Sequence, residues 1–491
     1  MLRGSGFRPT TAVVFLAIVL SATGALAQRG LKQVSSDPFT NSTSQHATEV
    51  EPDTFAFGNT MVSAFQTGRI FDGGSADIGF ATSTDGGTTW THGFLPGITT
   101  FYKGGKYTSV SDPSVAYDAA HGKWLITSIA ITDAIGVGVL ASNSSDGLTW
   151  NNPVNVHTTS GFDDKSWVAC DSHSSSQFFG HCYVEWDAAG SGGQVQMSVS
   201  TDGGQTWSAA KTVPNAVGLG GQPVVQPNGT VVVPFESNGI EAFTSSDGGK
   251  TWSNPVSVGS ISDHGVQGSL RTSPLPSAEV DGAGTVYVAW QDCRFRSGCS
   301  SNDIVFSKSS DGKTWSPVSR VPIDPVSSTA DHFIPGLAVD PSTSGDSAHL
   351  GLTFYFYPVS GCSNSSCKLG VGFISSHDGG KTWTQGKVMG QGVNTSWLAN
   401  TNQGYMVGDY ISTSFVNGKA FGVFAGAPPP TGGRFHEAMY TPQVGLLEEG
   451  SGPLLSSAGD KPFANAKSDH PPRPYWDDEG RVPKEPPPSK R

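Results

Sequence analysis

The 491-residue sequence predicts an all-β fold built from repeated four-stranded units. Three observations lead there. One octapeptide keeps returning, a pair of strand-like segments precedes each copy, and stretches with helical periodicity are nearly absent.

The octapeptide reads Ser83-Thr84-Asp85-Gly86-Gly87-Thr88-Thr89-Trp90 and returns at 200–207, 245–252 and, with His377 in place of Thr, at 376–383. Two copies one residue shorter occupy 144–150 and 309–315. The copies follow one another at intervals of about 45 to 67 residues, the mark of a repeat protein. Asp and Ser side chains accept hydrogen bonds from nearby backbone N–H groups, Gly supplies positive φ, and Trp offers a large apolar plate. The piece is a rigid hairpin turn.

Upstream of each box lie an apolar strand, a turn and a second β-branched or aromatic strand. Unit two shows them at 112–118 and 123–131, unit five at 275–281 and 285–290, with similar pairs at 52–66, 165–186, 222–235 and 333–357. A seventh pair, 406–415 and 419–425, is followed by a third strand at 435–441 but no box. Each complete unit reads as one four-stranded propeller blade, which gives seven blades, with six as the alternative if one unit is absorbed differently. Residues 34–48 could supply the last unit's missing outer strand and so hide two sheet edges at once.

The box resembles the Asp-box, or bacterial neuraminidase repeat, of sialidases and related β-propellers, and the likeness runs over about 45 to 441. It implies a sialidase-like propeller. It also implies a retaining hydrolysis with a Tyr nucleophile, a Glu beside it, an acid/base Asp and three Arg for the substrate carboxylate.

Composition bounds the remaining possibilities. Gly (63), Pro (32) and a charged fraction of only 14% suit short strands joined by turns. Arg3 and Arg8 precede the apolar stretch 12–20, and Ala25-Leu26-Ala27 follows, so 1–27 reads as a signal peptide cleaved after Ala27, for a secreted or periplasmic protein with no later membrane span. A net charge of −12 without a basic stripe argues against nucleic acid as a partner. Six cysteines allow fifteen pairings; export and short spacings favour the local ones, Cys170 with Cys182, Cys293 with Cys299 and Cys362 with Cys367. The propeller is expected over 28–441 and a Pro- and charge-rich disordered tail over 442–491.

In such a fold the boxes and the short first turns share one face. The long connections after the second strands share the other, where binding residues belong. Residues entering the innermost strands there ring the channel mouth: Asp53, Asp112, Asp164 with Lys165, Gln222, Arg271, Asp331 with His332, and Asp409 with Tyr410. The resemblance, carried over residue by residue, makes Asp72 the acid/base, Tyr410 the nucleophile with Glu236 or Glu437 beside it, and Arg69, Arg271 and Arg294 the contacts to an acidic sugar. Arg296 is a further guanidinium from unit five. The sialidase Arg-Ile-Pro motif corresponds to Val50-Glu51-Pro52, and another Arg position to Glu236, so two of the expected Arg are not matched. No zinc-ligand spacing, phosphate loop or nucleophile elbow appears, and neither metal nor cofactor is expected. Two functions follow as expectations: a sialidase-like glycoside hydrolase, or a propeller that binds an extracellular glycan or glycosylated protein without chemistry.

Overall fold

A computed structural model describes residues 1, 30–133, 135–363, 366–446 and 454–463. Apart from Met1, the expected signal peptide lies outside them, as does most of the expected tail. No helix among the described residues is long and apolar enough to cross a membrane.

The fold is all-β. The strands form four-stranded antiparallel units, each a simple meander in which consecutive strands pair. Units one and two, which begin at Glu49–Phe57 and Ser109–Asp118, join through the single pair Ser75–Val110, between the third strand of unit one and the first of unit two. The next units begin at Asp164–Cys170, Val224–Val225, Ser277–Val280 and Asp331–Val339. The last is made of Ser412–Val416, Lys419–Gly426 and Ala438–Pro442, and its fourth strand is Leu31–Gln33 from the other end of the chain. Leu31 lies opposite Pro442 and Gln33 opposite Tyr440. The closing strand thus sits just upstream of the expected 34–48, which instead crosses to the first unit.

The seventh pair differs from the reading in a second way. Met406 belongs to a separate hairpin, Ala399–Thr401 with Gly404–Met406, that interrupts the path between the sixth and last units.

First strands lie against one another in sequence, and the last, Ser412–Val416, returns to Glu49–Phe57. Polar side chains on these strands tie each to the next. Asp53 Oδ2 accepts from the N–H of Val115 (2.7 Å), Ser114 Oγ from Val168, Gln222 Oε1 from Ala278 (2.7 Å) and Ser277 Oγ from Leu337. Two members of the expected ring, Asp53 and Gln222, therefore satisfy backbone donors that would otherwise be buried and unpaired.

Every box lies between the third and fourth strands of its unit. In the first, Asp85 Oδ1 accepts from Ser83 Oγ (2.9 Å) and from the N–H of Thr89 (2.8 Å), while Ser83 Oγ accepts from Gly87 N–H (2.8 Å). Gly87 has φ of 86°, and a Cβ there would lie 2.4 Å from the Phe421 ring of the last unit. The equivalent Gly204 meets Leu125 and Gly312 meets Val232, in each case on the preceding unit. The box stiffens its own turn and seats it against the neighbouring sheet, which explains why the Gly recurs.

All three local disulfides are present. Cys170–Cys182 joins directly paired positions of neighbouring strands, and the other two close loops that follow second strands. A Cys170→Ser/Cys182→Ser double variant is expected to lose about 3 kcal/mol of stability through release of its loop in the unfolded chain. Urea unfolding of the oxidised proteins measures this, and coincident midpoints would contradict it.

Residues 454–463, within the stretch read as a disordered tail, lie against the domain. Leu455 exchanges backbone hydrogen bonds with Trp383 of the last box, Asp460 pairs with Arg320 (3.0 Å), and Phe463 N–H donates to the carbonyl of Arg294. Short outer strands such as Ser319–Arg320 leave an edge that this segment covers.

Candidate functional site

The first strands of units one, two, three and six share a bulge. Pairing slips between Val50 and Asp53, Ser111 and Ser114, Asp164 and Trp167, and Phe333 and Pro335. At each slip one residue takes a left-handed conformation: Glu51 (φ 61°), Asp112 (49°), Lys165 (47°) and Ile334 (50°). Such backbone is uncommon outside glycine, and a bulge re-aims the side chain it carries. Three of these four side chains are charged, and they meet.

Lys165 Nζ lies 3.0 Å from Glu51 Oε1, 3.2 Å from Asp112 Oδ1 and 2.8 Å from Asp409 Oδ2. Arg271 takes the same Asp409, with Nε 2.8 Å from Oδ1 and Nη2 on Oδ2. All five side chains are buried. Gly408 makes the convergence possible: its φ is 133°, and a Cβ there would stand 2.6 Å from the Glu51 Cα. The inserted hairpin aligns Arg271, whose N–H donates to the Tyr405 carbonyl.

Three carboxylates face two cations in this cluster. Burial, with Asp112 and Asp409 close by, pushes the Glu51 carboxyl above its ordinary range even though Lys165 opposes the shift. Gln66 Nε2 donates to Glu51, and Arg69 Nη1 donates in turn to Gln66 Oε1 (3.2 Å) and to the Gly74 carbonyl (2.7 Å). Arg69 thus stands one residue removed from the cluster.

Tyr410 covers it. Its hydroxyl donates to the Pro113 carbonyl (3.0 Å), its ring meets Trp167 edge to face at 4.8 Å, and Lys165 Nζ is 5.5 Å from the ring centroid. Burial first, then Glu51 and Asp112, hold the phenol well above its usual pKa. Neither Glu236 nor Glu437, the carboxyls expected beside Tyr410, is among the groups acting on it; Glu51 takes that place. Above the cluster a pocket is lined by Lys165, Trp167, Gln222, Leu275, Pro276 and Tyr410.

The remaining ring members lie elsewhere. Asp164 is buried next to Lys165, whose N–H it accepts (3.0 Å). Asp331 accepts from the Asn302 N–H (2.7 Å), and burial pushes its carboxyl up to about 8. His332 is buried against Phe354, and desolvation lowers its pKa to about 4. Both adjoin a second network, in which Arg296 pairs with Asp303 and Asp324 at 2.5 Å each and Arg320 reaches Asp303 at 3.3 Å. Asp303, Asp324 and His332 have donor atoms close enough to hold a metal, but the two guanidiniums already occupy the Asp303 carboxylate and oppose a cation. Arg294 binds Asp292 (2.6 Å) and the Ser260 carbonyl, bracing its disulfide loop. Asp72 is exposed on the turn after Arg69.

Glu51, Gln66 and Trp167 were missed as site residues. A signal for Glu51 existed. Glu51-Pro52 and Asp112-Pro113 repeat an acidic-Pro step at the start of successive units, with Ile334-Pro335 as its apolar counterpart.

Residues 130–335 match the family model described as a BNR repeat-like domain. No curated protein matches the chain. Among solved structures, the chain is similar to a protein of unknown function from Dyadobacter fermentans (15% identity, TM-score 0.45, covering 71% of this chain and all of that one). It is similar to the NanB sialidase of Streptococcus pneumoniae (14%, TM-score 0.41, 85% and 71%). It is also similar to a polysaccharide lyase described as an ulvan lyase (10%, TM-score 0.49, 85% and 96%).

Proposed function

With residues 130–335 a BNR repeat-like domain, we propose that the chain is an exported seven-bladed Asp-box propeller that binds an extracellular glycan at its channel mouth without hydrolysing it. The observation that carries this reading is the internal neutralisation of the site's cations. Lys165 and Arg271 are bonded to Glu51, Asp112 and Asp409, so among the described residues the two cations of this cluster are already engaged when a substrate carboxylate enters from solvent. The pocket itself holds only about 10 Å³, so what this rim offers a sugar from outside is the half-buried face of Trp167 with the Tyr410 ring and the Gln222 amide beside it.

The second reading is sialidase-type hydrolysis by Tyr410 with Asp72 as acid/base, favoured by the Glu51 carboxyl close to the Tyr410 phenol. Against it stands the Tyr410 hydroxyl, which is spent on the Pro113 carbonyl in a setting that opposes its ionisation.

On a glycan array the mature protein is expected to retain ligands, and Trp167→Ala to weaken the best of them about tenfold or more with an unchanged thermal midpoint. Fluorogenic sialosides and neutral glycosides should remain uncleaved. Turnover that disappears in Tyr410→Phe and falls in Asp72→Asn would replace this reading with the second.

A further inference from the structure

Away from the channel, the N-terminal segment and the last unit enclose a cleft of about 500 Å³. Asp37, Arg434, His436, Glu437 and Tyr440 line it. We propose that this cleft is a second binding site, taking a sugar unit that bears one carboxylate, a site that stands whether or not the channel mouth binds glycan.

Arg434 supplies the anion-binding edge. It is exposed at the rim, its Nη2 donates to the Asp37 carbonyl (3.3 Å), and among the described residues it forms no ion pair. A tight turn holds it there: Thr431 and Arg434 exchange backbone hydrogen bonds at 3.1 Å, and His436 Nε2 meets Thr431 Oγ1 at 2.6 Å. A guanidinium fork fixed in this way suits a carboxylate.

Glu437 supplies the interior contact. Its side chain is 1% exposed, Oε2 accepts from the Ala399 N–H (2.8 Å), and Oε1 has no partner. An unsatisfied buried acceptor is costly and rare, and Glu437 lines the cleft, so a ligand hydroxyl that reaches Oε1 would satisfy it. Burial, with Glu49 beside it, holds this carboxyl well above its ordinary pKa, which favours the protonated form that can also donate. The other ionisable neighbours are Asp37, Tyr355, Tyr440, His436 and Arg434. Asp37 already accepts from the N–H groups of Phe39 (2.8 Å) and Thr48 (3.2 Å), which leaves Glu437 as the inner polar contact. Tyr440, half-buried at the wall, gives the sugar ring an apolar face. The volume suits one or two sugar residues and is too small for a polyanionic chain to enter.

The test is calorimetric titration of the mature protein at about pH 6 with methyl β-D-glucuronide, and with methyl β-D-glucoside as the uncharged control. The glucuronide is expected to bind about tenfold or more tightly than the glucoside, and Arg434→Gln to abolish that difference. Glu437→Gln keeps an N–H donor and an acceptor and should bind as the parent does. Glu437→Leu should lose about tenfold while keeping the fold by circular dichroism. For the parent alone, affinity should fall as pH rises and Glu437 ionises, repelling the ligand carboxylate; Glu437→Gln should hold steady. Trp167→Ala separates the two sites, since glucuronide binding should survive it. No binding at about 20 mM ligand, equal binding of both glycosides, or loss in Trp167→Ala would each overturn the proposal.

Discussion

Replacing Lys165 by Met is expected to lower stability by about 3–5 kcal/mol at pH 8, because Glu51, Asp112 and Asp409 would be left buried with Arg271 as the remaining cation of the cluster. Met matches the stem of Lys in length, so the loss reports charge and not volume. The effect should shrink at pH 5, where Glu51, already pushed upward in the parent, can take a proton and relieve the cluster. Adding Glu51→Gln to Lys165→Met should recover part of the loss, since coupled groups are not additive. Urea unfolding of the four proteins at both pH values measures it. A loss under about 1 kcal/mol at pH 8 would mean the cluster is solvated and able to rearrange.

The second large effect concerns pH and the closure of the last unit. Burial pushes the Glu49 carboxyl up to about 8 from an ordinary value of 4.5, with its Ser35 hydrogen bond only partly offsetting the shift and Asp37 adding to it. The folded chain therefore holds this proton more tightly than the unfolded chain does. Its contribution to stability is complete below about pH 4.5 and declines as pH rises to about 8, by an amount on the order of 5 kcal/mol. Glu437, on the adjoining strand, moves in the same direction. Thermal midpoints should fall between pH 5 and pH 8.5. Glu49→Gln should flatten that decline, raising the midpoint at pH 8.5 and leaving it nearly unchanged at pH 5. A parent midpoint that rises with pH over this range would show that Glu49 is ionised in the folded protein.

Local chemistry made much of the architecture legible. The box carries its own hydrogen-bond partners within eight residues, so Ser, Asp, Gly and Trp at fixed spacing specify the turn wherever they occur. Paired strands were readable from alternating β-branched residues and intervening turns. The local cysteine pairs were readable for a similar reason, since partners a few residues apart in loops have little else to meet. The last unit was harder to read. Its fourth strand comes from the opposite end of the chain, and a hairpin interrupts its approach, so neither leaves a periodic trace.

The site was legible in part. Position at the entry of a first strand drew attention to Asp112, Lys165, Arg271, Asp409 and Tyr410, and the structure brings these five together. The same rule drew in Asp331 and His332, which turn instead toward Arg296 and its acidic partners. Glu51 stood at the middle of the unmatched Arg-Ile-Pro motif, beside Val50 in the expected Arg's place. It is in fact the residue that faces Lys165.

By itself the sequence determined an all-β chain of four-stranded units, the place of each box and three local disulfides, because each is set by contacts between residues near one another along the chain. Tertiary structure alone decided which charges meet. Left-handed bulges at Glu51, Asp112 and Lys165 aim side chains from three different units at one point, and Gly408 lets a fourth segment deliver Asp409 to it. That convergence depends on how the units are arranged around their first strands, and no segment of the chain contains it.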